Sequence, residues 1–187
     1  VYDSEPSAEY EECKLKARFL LDRVQKFSLI ETLLFEKKFR FLREHLERMR
    51  KSAQYFGFPF ERREILNRLR DVRRKLKDGK YKIRIVLSEN GEVKIFYSWI
   101  DEITNIKICI SKKKTYSGDF FLFHKTTKRD LYNRIHRNAR IKGFYDVVFV
   151  NEKGELTEGA ITNVYIKRGE KIFTSPVECG LLNGIVR

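Results

Sequence analysis

The chain has 187 residues, with 40 Lys and Arg against 26 Asp and Glu for a formal net charge of +14, and 42% of its residues are hydrophobic. That length and apolar content suffice for a packed core and exclude a disordered tail, while 10 Gly and 3 Pro exclude collagen-like or linker material. No apolar run is long enough to span a membrane as a helix, and the surplus of positive charge makes nucleic acid the first partner to weigh.

In chain order, residues 1–22 are acidic and polar at the start, carry no signal-peptide pattern, and through Tyr10, Leu15, Ala17 and Leu21 permit one short helix. Residues 27–35 read as an apolar strand, 36–38 as a tight polar turn and 39–42 as the returning strand of a hairpin. Leu42, Leu46, Met49, Ala53 and Phe56 recur at helical spacing and predict an amphipathic helix, stopped by Gly57 and Pro59. Ile65, Leu66, Leu69, Val72 and Leu76 predict a second helix ending at Gly79. The period then changes. Tyr81, Ile83, Ile85 and Leu87 alternate along a strand, Asn90-Gly91 is a hairpin turn, and strands follow over 93–100 and 106–110. After a polar connection over 111–117, residues 129–140 return to helix, 146–150 form a buried strand, and 163–167 pair with 171–174. Helices and strands mix without strict alternation, so the fold class is α+β. The aromatic side chains Phe39, Phe41, Phe56, Phe121 and Phe123 are expected in the core.

Cys13, Cys109 and Cys179 are odd in number and far apart, and the histidines His45, His124 and His136 add no metal-ligand spacing. Reduced thiols in a cytoplasmic protein are the expectation, with no metal site. The glycine patterns that cradle dinucleotides or nucleoside triphosphates are absent. What stands out is an ordered set of separated segments: His45-Leu46-Glu47-Arg48 on the first strong helix, Phe123-His124-Lys125-Thr126-Thr127-Lys128-Arg129, Gly154 to Asn163 with its Glu158-Gly159 pair, and Gly180-Leu181-Leu182-Asn183-Gly184-Ile185-Val186-Arg187. In this order and spacing they resemble the class IV family of pyridoxal-phosphate enzymes, which includes branched-chain and D-amino acid aminotransferases and aminodeoxychorismate lyase. The resemblance spans residues 28–187.

The resemblance implies a two-domain fold with an N-terminal α+β domain over 23–120 and a cofactor-lysine domain over 121–187, truncated at its C-terminus. It implies pyridoxal 5'-phosphate as cofactor and assigns Lys125 as the catalytic lysine that holds it covalently and then moves the substrate proton. Glu158 is the acid facing the pyridine nitrogen, Arg48 the cation on the cofactor phosphate, and Ile185 and Val186 supply backbone amides to that phosphate at a helix N-terminus. Asn163 is a supporting residue in the Glu158 loop, and Glu31 a candidate on the substrate side. One departure is plain: the tyrosine that several members place five residues after the lysine is Asp130 here, and nothing in the sequence makes Tyr132 its substitute. Each of these residues alone has an ordinary explanation. Lys125 is a solvated lysine, Arg48 a helix charge paired with Glu44 or Glu47, Glu158 a turn residue. The ordered set outweighs those readings.

Residues 1–18 resemble the last helix of aminodeoxychorismate synthase component I, which some organisms fuse upstream of the lyase. Val1 as first residue, Met49 as sole methionine and the apolar run before Arg187 fit a piece of a longer chain. The expected activity is therefore 4-amino-4-deoxychorismate lyase, releasing pyruvate and 4-aminobenzoate for folate biosynthesis. The runner-up is a branched-chain or D-amino acid aminotransferase. The expected partners are a small anionic substrate, a second copy of the chain in a homodimer, and the synthase component, fused or associated. A basic nucleic-acid module is disfavoured because its cations are interleaved with Glu and Asp, without aromatic stacking motifs.

Overall fold

The computed structural model describes residues 26–102, 104 and 106–187; the short helix expected within residues 1–22 lies outside them. The first unit is an antiparallel sheet of β1 (Ser28–Glu36), β2 (Lys38–Phe39), β3 (Lys80–Ser88) and β4 (Val93–Trp99) in the order β2-β1-β3-β4. Two helices, α1 (Leu42–Phe56) and α2 (Arg62–Lys75), cover one face. The register Leu29↔Leu87, Glu31↔Ile85, Leu33↔Ile83 sets the inward residues of β1 and β3 side by side. Leu29, Leu33, Ile83 and Ile85 thus meet Leu46, Met49 and Ala53 of α1 and Ile65, Leu69 and Val72 of α2 in one core. Leu46 is fully buried there, and trimming such a leucine to alanine costs about 2–5 kcal/mol. The opposite face of β1, with Thr32 and Leu34, turns toward the second unit.

That second unit has a three-stranded sheet in the order β5 (Ile108–Ile110), β6 (Asp146–Val150), β7 (Leu156–Gly159), parallel between β5 and β6 and antiparallel between β6 and β7. Helix α3 (Asp130–Ile141) packs Tyr132 and Ala139 against Val147, Phe149 and Ala160. A ribbon of β8 (Ile166–Arg168) and β9 (Lys171–Phe173) completes the described strands.

The two units are stitched together next to Lys125. The Ile30 amide donates to the Lys125 carbonyl (2.8 Å), the Thr127 amide to the Ser28 carbonyl (2.8 Å), and the Ser28 amide to Thr127 Oγ1 (2.9 Å). Segment 125–127 therefore runs as a short extra strand along the start of β1, with Leu29 opposite Thr126.

Several expectations need correction. The returning strand over 39–42 shrinks to Lys38–Phe39 because Phe41 adopts a left-handed conformation (φ 50°) and α1 starts at Leu42. That turn pushes Phe41 outward, 53% exposed, so it lies at the rim of a cavity rather than in the core. Phe123 is likewise partly exposed, at the end of a 3₁₀ turn over Phe120–Phe123. Strand β7 is not among the elements expected from the sequence. Its four residues, Leu-Thr-Glu-Gly, are too short and mixed to alternate visibly.

Candidate active site

A cavity of about 650 Å³ lies between the units. Its walls come from β1 (Thr32, Leu34), the start of α1 (His45, Arg48), the Lys125 segment, the first turn of α3, the loop after β7, Leu182 and residues 184–186. Lys125, Arg48, Glu158, Asn163, Ile185 and Val186 all line it; Glu31 does not. The charged lining is cationic, with Arg40, Arg48, Lys114, Lys125, Lys128 and Arg129 against Asp119, Asp130 and Glu158.

Glu31 lies beneath the wall, 1% exposed. Its two oxygens accept from Arg48 Nε (2.8 Å) and Arg48 Nη2 (2.7 Å), and Oε2 also accepts from His45 Nδ1 (2.7 Å). Burial opposes its charge, but the hydrogen bonds from His45 and Arg48 and the guanidinium's charge hold the carboxyl below the usual carboxylate range. The expectation of a substrate-side role is thereby corrected: Glu31 clamps Arg48 from behind. Arg48 Nη1 donates to the Asn183 carbonyl (2.8 Å). Three of the five guanidinium N–H groups are thus spent on fixing its plane, which leaves two for an anion. Glu31→Gln is expected to destabilise the chain by about 3 kcal/mol in urea denaturation, because it leaves a buried cation poorly paired. A substrate-side role would instead raise KM and leave stability unchanged.

Lys125 is half-buried and its amine is pushed down to about 8, first by burial and then by the guanidinium of Arg129. Glu158 moves the other way, up to about 7. Burial drives that rise, opposed by the neighbouring Leu182 backbone amide and by the charges of Arg129 and Lys125. A base and an acid shifted toward neutrality in one cavity are a usual mark of proton chemistry. Asp146, 1% exposed, holds the loop after Glu158: it accepts from Thr162 Oγ1 (2.6 Å), the Ile161 amide (3.3 Å) and the Val147 amide (2.8 Å). Gly159 is pressed so tightly between Thr162 and Asp146 that any side chain would collide with both. Gly184 packs as closely against Asn163 and carries that segment to the cavity.

At Ile185–Val186 the expected helix N-terminus is a turn in the described residues, closed by the Arg187 amide on the Gly184 carbonyl (3.2 Å). Sequence reasoning missed the roles of His45, Arg129, Tyr132 and Asp146. His45 is a buried ligand of Glu31, and the Tyr132 hydroxyl and Arg129 Nε are buried in the cavity wall without hydrogen-bond partners. These residues fit a phosphorylated pyridine aldehyde: a lysine shifted toward its neutral form, an acid for a ring nitrogen, and a pre-fixed arginine for a phosphate.

Residues 28–187 match the amino-transferase class IV family. The chain belongs to that family. It is an enzyme family dependent on pyridoxal phosphate, and the mixed helix-and-strand fold matches its solved structures. The chain is 28% identical over 171 residues to a Schizosaccharomyces pombe protein provisionally named aminodeoxychorismate lyase, an overlap of 88% of this chain and 73% of that one. It is 25% identical over 166 residues to the aminodeoxychorismate lyase of Bacillus subtilis, covering 77% of this chain and 55% of that one. A Mesorhizobium loti structure, provisionally assigned as an amino-acid aminotransferase, superposes with a TM-score of 0.80 at 28% identity, covering 86% of this chain and 80% of the other. No helix among the described residues is long and apolar enough to cross a membrane.

Proposed function

We propose that the chain uses pyridoxal 5'-phosphate to convert 4-amino-4-deoxychorismate to 4-aminobenzoate and pyruvate. The observation that carries the reading is the juxtaposition of Lys125 and Glu158, shifted in opposite directions toward neutrality, in one cation-rich cavity. The two curated relatives named as lyases support the choice of reaction.

When bound, the cofactor supplies an electron sink for the carbon that bears the substrate amine. The chain's own part is positional and protonic. Arg48, held by Glu31 and Asn183, and the amides around Ile185 and Val186 take the phosphate. Glu158 holds a proton at the ring nitrogen. The neutral Lys125 amine accepts the proton from the substrate carbon and returns it to the methylene of the departing enolpyruvyl group. The carbon–oxygen ether bond breaks, the ring becomes aromatic, and atoms balance without water. A substrate with two carboxylates, added to a phosphate dianion, suits a wall carrying six cations and three acids. Part of the remaining positive charge is paired along the helices, as in Arg50–Glu47 (2.8 Å), Arg68–Glu64 (2.9 Å) and Arg74–Asp71 (3.2 Å), which argues for a solvated surface rather than a nucleic-acid track. A cytoplasmic homodimer, linked to the synthase that makes its substrate, completes the proposal.

The second reading, transfer of an amino group from an amino acid to a 2-oxo acid, is favoured by the Mesorhizobium loti likeness. Both products are measured on one preparation. The lyase reading expects pyruvate and 4-aminobenzoate in equal amounts and no glutamate from 2-oxoglutarate with a branched-chain donor. Glutamate without pyruvate overturns it.

A further inference from the structure

Arg129 follows Lys125 by four residues and lines the same cavity. Its Nη2 donates to the Ala160 carbonyl, its guanidinium lies over the Tyr132 ring (5.1 Å to the centroid), and its Nε is buried without a partner. Among the described residues no carboxylate reaches it at salt-bridge distance, in contrast to Arg48, which Glu31 holds at 2.7 Å. A guanidinium cannot shed its proton at any ordinary pH, so its charge stays in the wall whatever its surroundings. The Ala160 carbonyl that holds it belongs to the loop fixed by Asp146 through Ile161 and Thr162. The position of that charge is therefore set by buried contacts rather than by a flexible side chain.

We propose that Arg129 is a positioning residue for proton chemistry: an immobile cation, without a salt-bridge partner among the described residues, that biases the Lys125 amine toward its neutral form and the Glu158 carboxyl toward its ionised form. A like charge in a poorly solvated wall disfavours the ammonium form, and the same charge favours the carboxylate. The other charged groups facing Lys125 are Glu31 and Arg48 from β1 and α1, and Glu158 from β7. Glu31 and Glu158 favour the ammonium, while Arg48 acts with Arg129 against it. Those facing Arg129 are Glu158, Tyr132, Arg84 and Asp146. Since the charge of Glu31 is already taken up by Arg48 and His45, Arg129 is the cation whose field is left to act on the lysine. The inference uses the proposed function only to say why a neutral lysine is useful.

The test needs neither cofactor nor substrate. The chain is labelled with trace acetic anhydride across a pH series, and acetylation of Lys125 is read by peptide mass spectrometry. In the parent the midpoint falls well below that of surface lysines in the same digest. Arg129→Gln raises it by about one pH unit, a tenfold loss of neutral amine, whereas Arg129→Lys, which keeps the charge, stays with the parent. If Arg129→Gln does not fold, Arg129→Met, which also removes the charge but keeps the apolar stem over Tyr132, serves instead and raises the midpoint alike. A midpoint unmoved in the neutral variant, or moved alike in the neutral and Lys variants, overturns the proposal. Failure of the lyase reading shows separately, as absent pyruvate with the labelling pattern intact.

Discussion

Lys125→Ala is expected to abolish pyruvate release, with a loss of at least about a thousandfold, and yet to melt at a higher temperature than the parent at pH 7. The loss follows from the two tasks proposed for one amine, attachment of the cofactor and proton transfer, neither of which a methyl group performs. The gain follows from burial. In the unfolded chain the amine titrates at the ordinary lysine value near 10.4; in the folded chain it titrates at about 8. Below pH 8 it is charged in both states, and the folded state bears the full cost of a poorly solvated ammonium. Between pH 8 and the ordinary lysine value the unfolded chain holds the extra proton, so stability rises with pH across that window. Alanine removes the charge and, since the side chain borders a cavity, leaves little new void. The melting temperatures of parent and variant should therefore differ most below pH 8 and converge as pH rises. A variant that melts lower at pH 7 would show that Lys125 is not strained by its position.

Glu158→Gln is expected to lower kcat by about a hundredfold or more while the cofactor remains attached through Lys125. A neutral amide has no charge with which to keep a proton on a ring nitrogen, and the electron sink weakens accordingly. The parent's pH dependence carries the opposite sign to that of Lys125. Folding lifts the Glu158 carboxyl to about 7, so between its ordinary value and pH 7 the folded chain holds a proton that the unfolded chain has lost. Stability from this group falls as pH rises through that interval and stays low above it. Melting curves at pH 5 and pH 8 in Glu158→Gln should lack that slope; its survival in the variant would assign the effect to another group.

The helices and the long strands were legible because their burial is periodic. Leu42 to Phe56 and Tyr81 to Leu87 display spacings that only one backbone geometry satisfies. The site was legible as an ordered set of chemical groups but not as contacts. Glu31 shows the difference. It stands in the same alternation as Leu29, Leu33 and Phe35, so the pattern itself sends it to the covered face, where a carboxylate needs partners. His45 and Arg48, three residues apart near the start of α1, were available to supply them. Reading Glu31 as a substrate contact ignored that alternation. Phe41 and the Arg129–Tyr132 pair were not legible in this way. A left-handed residue before a helix and a guanidinium over a ring each depend on where two segments meet, which no local period records.

The seam along β1 has one more consequence. The backbone of Lys125 is fastened to Ile30, and the carboxylate that orients Arg48 projects from the next residue, Glu31. Both ends of the proposed reaction centre thus take their coordinates from adjacent positions on a single strand. That strand works as a gauge: the span between the proposed nucleophile and the proposed phosphate anchor is set by its pleat, about 3.4 Å per residue, and not by how the two units happen to tilt. Substitutions that let the β5-β6-β7 sheet or the β8–β9 ribbon shift should leave this span intact. An insertion of one residue between Ser28 and Glu31 should spoil both anchors at once.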